Sequence, residues 1–202
     1  MSKIVILNYG VGNLKSVSKA LENLKATVKI TSKEEEIKKA DALILPGVGA
    51  FKKAREKLEG LEEIIKKLIN SGKPILGICL GLQLFFTKSF EGGIFPGLNL
   101  IKGNVVKLPE VVKLPHIGWN SIKIVKENEI LNGVENGSFL YFVHSYIVKP
   151  EEPEVVLSTT DYGITFPSII AKNNIYGVQF HPEKSSKNGL KILENFVNLI
   201  KR

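Results

Sequence analysis

Three residues of this chain could together carry out nucleophilic chemistry on a carbonyl: Cys79, His181 and Glu183. Cys79 is the only cysteine, and it stands in Gly77-Ile78-Cys79-Leu80-Gly81, where an apolar run ends and a helical pattern begins. A residue on so sharp a turn takes strained backbone angles and crowds its neighbours, which accounts for a glycine two positions to either side. The N-terminus of the following helix would direct its dipole and free N–H groups at the sulfur, favouring the thiolate and offering donors to an oxyanion. A thiolate nucleophile needs a base, and the base needs an orienting group. Of the three histidines, His116, His144 and His181, the last is followed by Pro182, which imposes an extended step, and by Glu183, which then points the same way as the imidazole. A carboxylate there fixes the tautomer and stabilises the imidazolium that pairs with a thiolate. Taken singly, Cys79 reads equally as a buried small hydrophobe and His-Pro-Glu as an exposed loop.

A second strand-to-helix turn, Leu45-Pro46-Gly47-Val48-Gly49-Ala50-Phe51, has glycines that let backbone N–H groups face a ligand, and can form the other half of an oxyanion hole. The similar loop Asn8-Tyr9-Gly10-Val11-Gly12-Asn13 lacks the third glycine of a dinucleotide-binding G-x-G-x-x-G, since Lys15 stands there, so no nucleotide site is expected.

Loops of this kind must be held at strand ends, and the first half of the chain repeats a suitable unit. Lys3 to Leu7, Ala42 to Leu45 and Pro74 to Ile78 are apolar runs without alternation, as in strands buried on both faces of a parallel sheet. Thr27 to Ile30 is a further strand. Asn13 can cap a helix whose Leu14, Val17, Leu21 and Leu24 share a stripe, and a charged helix starts at Lys33. Two more helical segments follow, the second carrying Leu61, Ile64, Ile65, Leu68 and Ile69, and another is expected over Leu80 to Phe86. Alternating strands and helices joined by short connections predict a doubly wound, mostly parallel α/β sheet with helices on both faces. From about Ile101 short β-rich segments take over: Ile101 to Leu108, Ile122 to Val125, Phe139 to Val143, Val155 to Thr160, Ile169 to Lys172 and Ile175 to Val178. They suit antiparallel strands added to the same sheet or to a small companion. A helix with Leu190, Leu193, Phe196, Val197 and Ile200 closes the chain. No Ser/Pro-rich linker intervenes, so one domain spanning residues 1–202 is expected.

The composition, 202 residues with 44% hydrophobic and 24% charged, supports a sizeable core without disulfides or structural metals. A net charge of +8 raises the question of nucleic acid, but the lysines are dispersed among glutamates, as in Lys33-Glu34-Glu35-Glu36-Ile37-Lys38-Lys39, and only Arg55 and Arg202 are arginines. Solvated faces are expected instead. Abundant Lys and Glu hint at a high-temperature source or a lysine-rich genome. No signal-peptide pattern opens the sequence, and the longest uncharged stretch, Pro74 to Thr87, falls short of the ~20 residues that span a bilayer. A cytoplasmic protein without membrane contact is expected.

Cys79 within Gly77-Ile78-Cys79-Leu80-Gly81-Leu82-Gln83, followed a hundred residues later by His181-Pro182-Glu183, resembles the triad (class I) glutamine amidotransferases. Within that family, Asn8 to Asn13, Pro46 to Phe51, Pro115-His116-Ile117-Gly118-Trp119-Asn120, Tyr141-Phe142-Val143-His144-Ser145-Tyr146 and Gln179 to Ser185 are similar to the glutaminase subunits of imidazole glycerol phosphate synthase. The resemblance implies a thioester route from L-glutamine to glutamate and ammonia on Cys79, His181 and Glu183. It implies oxyanion donors at the backbone N–H groups of Val48 and Leu80, and glutamine held by Gly47, Gly49, Gln83, His144, Ser145 and Tyr146. No metal or redox cofactor is called for. The partner it implies is a (β/α)₈ cyclase subunit that receives the ammonia, with Asn8, Tyr9, Asn13, His116, Trp119, Asn120 and Lys184 at the interface or ammonia passage. A glutaminase serving a synthase of anthranilate, GMP or pyridoxal phosphate, or a γ-glutamyl hydrolase, is the alternative.

Overall fold

The computed structural model describes residues 3–200; Met1, Ser2, Lys201 and Arg202 lie outside the described residues. Its main sheet grows from the apolar runs of the first half. Strands β1 (Lys3–Leu7), β2 (Thr27–Thr31), β3 (Ala42–Leu45) and β4 (Ile75–Ile78) are parallel neighbours in the order β2-β1-β3-β4. Ile4 and Ile6 enter one core while Val5 and Leu7 enter another, and Ile44 is likewise separated from Leu43 and Leu45. Absence of polar alternation is thus the signature of a strand with a core on each face. Helix α1 (Leu14–Asn23) covers the first face through Val17 and Leu21; α2 (Glu34–Lys38), α3 (Phe51–Lys57) and α4 (Glu62–Asn70) cover the second through Ile37, Phe51, Ile65 and Leu68. Asn13 stands at the cap position of α1 without a side-chain capping hydrogen bond, contrary to expectation.

After β4 the expected helix is one turn long: α5 spans Leu80–Gln83. Phe86 instead opens β5 (Phe86–Ser89), which pairs with β6 (Phe95–Pro96) and, in parallel, with β7 (Ile101–Lys107). Leu84, Phe85 and Phe86 are all buried, and consecutive buried residues do not fit the single apolar stripe of a helix on a sheet.

The antiparallel additions go to both expected places and to a third. β8 (His116–Ser121) pairs with β10 (Phe139–His144) as a separate two-stranded ribbon, and β11 (Tyr146–Pro150) joins the sheet of β7. β12 (Val156–Asp161), β13 (Thr165–Lys172) and the short β9 (Lys123–Ile124) extend the main sheet, while β14 (Ile175–Val178) lies parallel to β4. Helix α6 (Ser186–Leu199) returns to the first face with Ile192, Leu193, Phe196 and Val197. The dispersed lysines meet carboxylates at the surface, as in Lys38 with Glu34 and Glu35 or Lys172 with Glu152. Among the described residues no helix is long and apolar enough to cross a membrane.

The outcome for function is that β4 and β14 are adjacent and parallel, so Cys79 and the Gln179-His181 segment leave the same edge side by side. The Cys79 N–H donates to the Val178 carbonyl at 2.8 Å and ties the two exits together.

Candidate active site

Cys79 has φ 53° and ψ −108°, a left-handed conformation that a side chain adopts only at a cost of order 1–3 kcal/mol. Close packing holds it there. A Cβ on Gly81 would lie 1.8 Å from the Leu45 carbonyl oxygen, and one on Gly77 would meet Phe85, Gly81 and Leu82 at 2.6–2.7 Å. The flanking glycines therefore let the elbow press against β3 and its own helix. Leu80 and Gly81 open α5, and N–H groups in the first turn of a helix have no partner within it.

On the neighbouring strand exit, His181 Nδ1 lies 3.0 Å from Glu183 Oε1, with side chains 4% and 1% exposed. Burial works against a charged imidazole, but hydrogen bonding and charge from Cys79 and Glu183 outweigh it and hold His181 up at about 9. The loop is braced by Ser185: its hydroxyl donates to the His181 carbonyl at 2.6 Å and accepts from the Tyr141 N–H at 2.9 Å, and the His181 N–H donates to the Tyr141 carbonyl at 2.9 Å.

A cavity of about 420 Å³ opens over these groups, lined by Val48, Gly49, Cys79, Leu80, Gln83, Glu91, Pro115, Val143, His144, Ser145, Tyr146, His181 and Lys184. Gly47 is buried behind it: a Cβ there would lie 2.8–2.9 Å from Leu80, Gly81 and the Tyr9 hydroxyl. Val48 is 42% exposed and Gly49 has φ +103°, so this turn presents backbone to the cavity. Tyr9 is buried beneath the loop with its hydroxyl donating to the Pro46 carbonyl. Burial, and after it the charge of Cys79, raises its phenol above the ordinary value. His116 is likewise buried, being only 3% exposed. In the strand His116-Ile117-Gly118-Trp119-Asn120 the apolar Ile117 and Trp119 face outward, 58% and 51% exposed, and the histidine faces in. Asn8 and Lys184 are exposed and Asn13 and Asn120 half-buried.

Gln179 and Glu91 also belong to the site, beside Gln83. Gln179 is fully buried and its amide donates to Cys79 Sγ at 3.6 Å, while Sγ faces the Val143 carbonyl at 3.7 Å. Gln83 Nε2 donates to Gln179 Oε1 at 3.3 Å and to the Tyr146 carbonyl at 3.0 Å. Glu91 accepts from the Phe51 N–H at 3.0 Å, at the start of α3 just after the Gly47-Val48-Gly49 turn, and burial raises its carboxyl above the usual range. Position immediately before the His181 segment is a signal for Gln179 and position just after it for Ser185; Glu91, on a glycine-rich loop, has none.

A thiol at a helix N-terminus, a buried imidazole with a carboxylate behind it, and above them a cavity lined by apolar side chains and a few polar groups can take an amide or ester carbonyl through acyl transfer. The family model of glutamine amidotransferase class-I matches residues 5–199. The chain belongs to the class-I glutamine amidotransferases. This amidotransferase is 58% identical over 200 residues to imidazole glycerol phosphate synthase subunit HisH of Archaeoglobus fulgidus, covering 98% of this chain and 100% of that one. It is 50% identical over 200 residues to the HisH subunit of Pyrococcus furiosus, at 98% and 100% coverage. Among solved structures, the amidotransferase shares its fold with a protein of Thermoplasma acidophilum described as a GMP synthase subunit, at TM-score 0.75, 22% identity and coverage of 100% and 94%. PurLQS of Thermotoga maritima matches at TM-score 0.78, 18% identity and coverage of 98% and 99%.

Proposed function

We propose that this amidotransferase, taken as one unit over residues 1–202, is the glutaminase subunit of an imidazole glycerol phosphate synthase acting in the cytoplasm in histidine biosynthesis. The observation that carries the reading is full-length identity of 47–58% to HisH subunits in a chain whose Cys79, His181 and Glu183 open onto one cavity. Glutamine enters with its carboxamide over Cys79. The thiolate attacks the carboxamide carbon, and the N–H groups of Val48 and Leu80 receive the oxyanion. His181, held as imidazolium by Glu183, protonates the departing nitrogen, and ammonia leaves with a thioester behind it. Neutral His181 then takes a proton from water as it attacks the thioester, and glutamate and the thiolate are regenerated. Gly49, Gln83, His144 and the Ser145-Tyr146 backbone hold the rest of the substrate, and Glu91 is the carboxylate suited to its ammonium group.

The released ammonia passes to a (β/α)₈ cyclase subunit that yields imidazole glycerol phosphate and aminoimidazole carboxamide ribotide. The docking face is the outer side of the β8–β10 ribbon, where Ile117, Trp119 and Phe139 are more than half exposed beside the cavity mouth marked by Lys184, with Asn8, Asn13 and Asn120 at its margin. The test is a glutaminase assay with and without the cognate cyclase and its nucleotide ligand. Stimulation by the loaded cyclase, with ammonia appearing in the cyclase product, is expected; equal rates with and without the cyclase would refute the pairing.

A further inference from the structure

The Tyr146 carbonyl in the cavity wall is held by two donors, and the second leads away from the site. His144 Nδ1 lies 3.0 Å from that oxygen, which can only accept, so the proton sits on Nδ1 and leaves His144 Nε2 as an acceptor. His144 Nε2 is 3.0 Å from His116 Nδ1, which must therefore carry the proton of its own ring. His116 Nε2 then accepts from the Asn120 amide at 3.4 Å. The same amide nitrogen donates to the Asp161 carbonyl at 2.9 Å, and Asn120 Oδ1 accepts the Ser121 N–H at 2.8 Å, which settles the amide's orientation. Every proton in the series is assigned by its neighbours. The His116 ring is further clamped between Phe142 and Tyr162, at centroid distances of 5.0 and 3.9 Å and interplanar angles of 20°.

We propose that His116 is a positioning residue for glutamine: through His144 it fixes the Tyr146 carbonyl, and with it the Ser145-Tyr146 wall and the Gln83 amide that shares this acceptor. The inference rests on the glutaminase reading above. Burial keeps both rings neutral, His116 down at about 4 and His144 at about 3, so the donor order holds throughout the neutral pH range. Without the His116 donor, the buried His144 Nε2 loses its partner and the ring is free to turn.

The test compares glutamine hydrolysis by the full chain with cyclase added, in three variants. His116→Phe keeps a ring between Phe142 and Tyr162 but cannot donate. His116→Asn offers an N–H near the Nδ1 position, and His116→Gln moves it to the Nε2 side. Expected is a KM for glutamine raised about tenfold in the Phe and Gln variants, the worth of one hydrogen bond, with kcat within about threefold, and a KM restored to within about threefold by Asn. The Asn–Gln contrast decides the matter even if the Phe variant does not fold. Equal KM values for Asn and Gln, or an unaltered KM in His116→Phe, overturn the inference while leaving the glutaminase reading standing. A wild-type chain that does not hydrolyse glutamine overturns the reading itself and this inference with it.

Discussion

The three histidines form two sites, equally deep but differently charged, one an imidazolium and the other a neutral pair. His181, His116 and His144 are 3%, 3% and 6% exposed. Burial pushes each toward the neutral form, and at His116 and His144 nothing opposes it strongly enough. At His181 a carboxylate 3.0 Å away and the Cys79 thiol reverse the outcome. Depth therefore does not determine protonation; the identity of the nearest partner does. On the proposed mechanism the contrast divides the labour: a ring that must give and take protons is paired with an acid, while rings that must stay in one tautomer are paired with each other and with backbone.

The largest effect that separates the two sites is expected from Cys79→Ala, which removes one partner of His181 and leaves the neutral pair untouched. Glutamine hydrolysis should fall by a factor on the order of 10⁴ or more, with the thermal midpoint retained; ammonia release at the wild-type rate would break the assignment. Next comes Glu183→Gln. Losing the carboxylate lowers the His181 pKa from about 9, so activity should drop by roughly 10²–10⁴ and its alkaline limb should move to lower pH, read from a kcat–pH profile. A smaller effect is expected of pH on the wild-type enzyme, whose turnover should decline as the pH rises through about 9 and the imidazolium loses its proton.

The smallest expected effect concerns stability, and there the two sites act with opposite sign. The folded state raises His181, so its stabilising contribution is present in full below about pH 6.5, the unfolded value, and is lost as the pH climbs through about 9. His116 and His144 are depressed, so between about 6.5 and 4 the unfolded chain binds more protons and stability falls with acidification. Urea denaturation across pH 4–10 should show stability falling on both sides of a maximum near pH 6.5. An acid limb unchanged in His116→Phe would contradict the role given to the neutral pair.

Much of this site is legible in the sequence because its parts are local. Gly77-Ile78-Cys79-Leu80-Gly81 and His181-Pro182-Glu183 each encode a turn and its chemistry within a few residues, and uninterrupted apolar strands announce two-sided burial. Residues that act across the fold are harder to read. Glu91 reaches the Phe51 N–H across forty positions, and no feature of its own loop predicts that. The stretch Leu80 to Phe86 offers apolar residues to either a helix or a strand, and pairing of Phe86 with Ile101 settles it. His116 keeps company in sequence with an exposed tryptophan, which points to the surface, although neighbours in a strand face opposite ways.

The sequence by itself determined Cys79, His181 and Glu183 as the proposed nucleophile, base and orienting carboxylate, the glycines of the two turns and the alternation that makes a doubly wound sheet. These follow from short-range sterics and from apolar periodicity, which act between near neighbours. Only the tertiary structure decided that β4 and β14 lie side by side, which brings Cys79 and His181 together over a separation of about a hundred residues. It also decided which way β8 faces, turning Trp119 outward and His116 inward against the usual polarity of a strand. The parity of a strand is set by what packs on each side of it, here Phe142, His144 and Tyr162 from distant segments, and no local pattern carries that information.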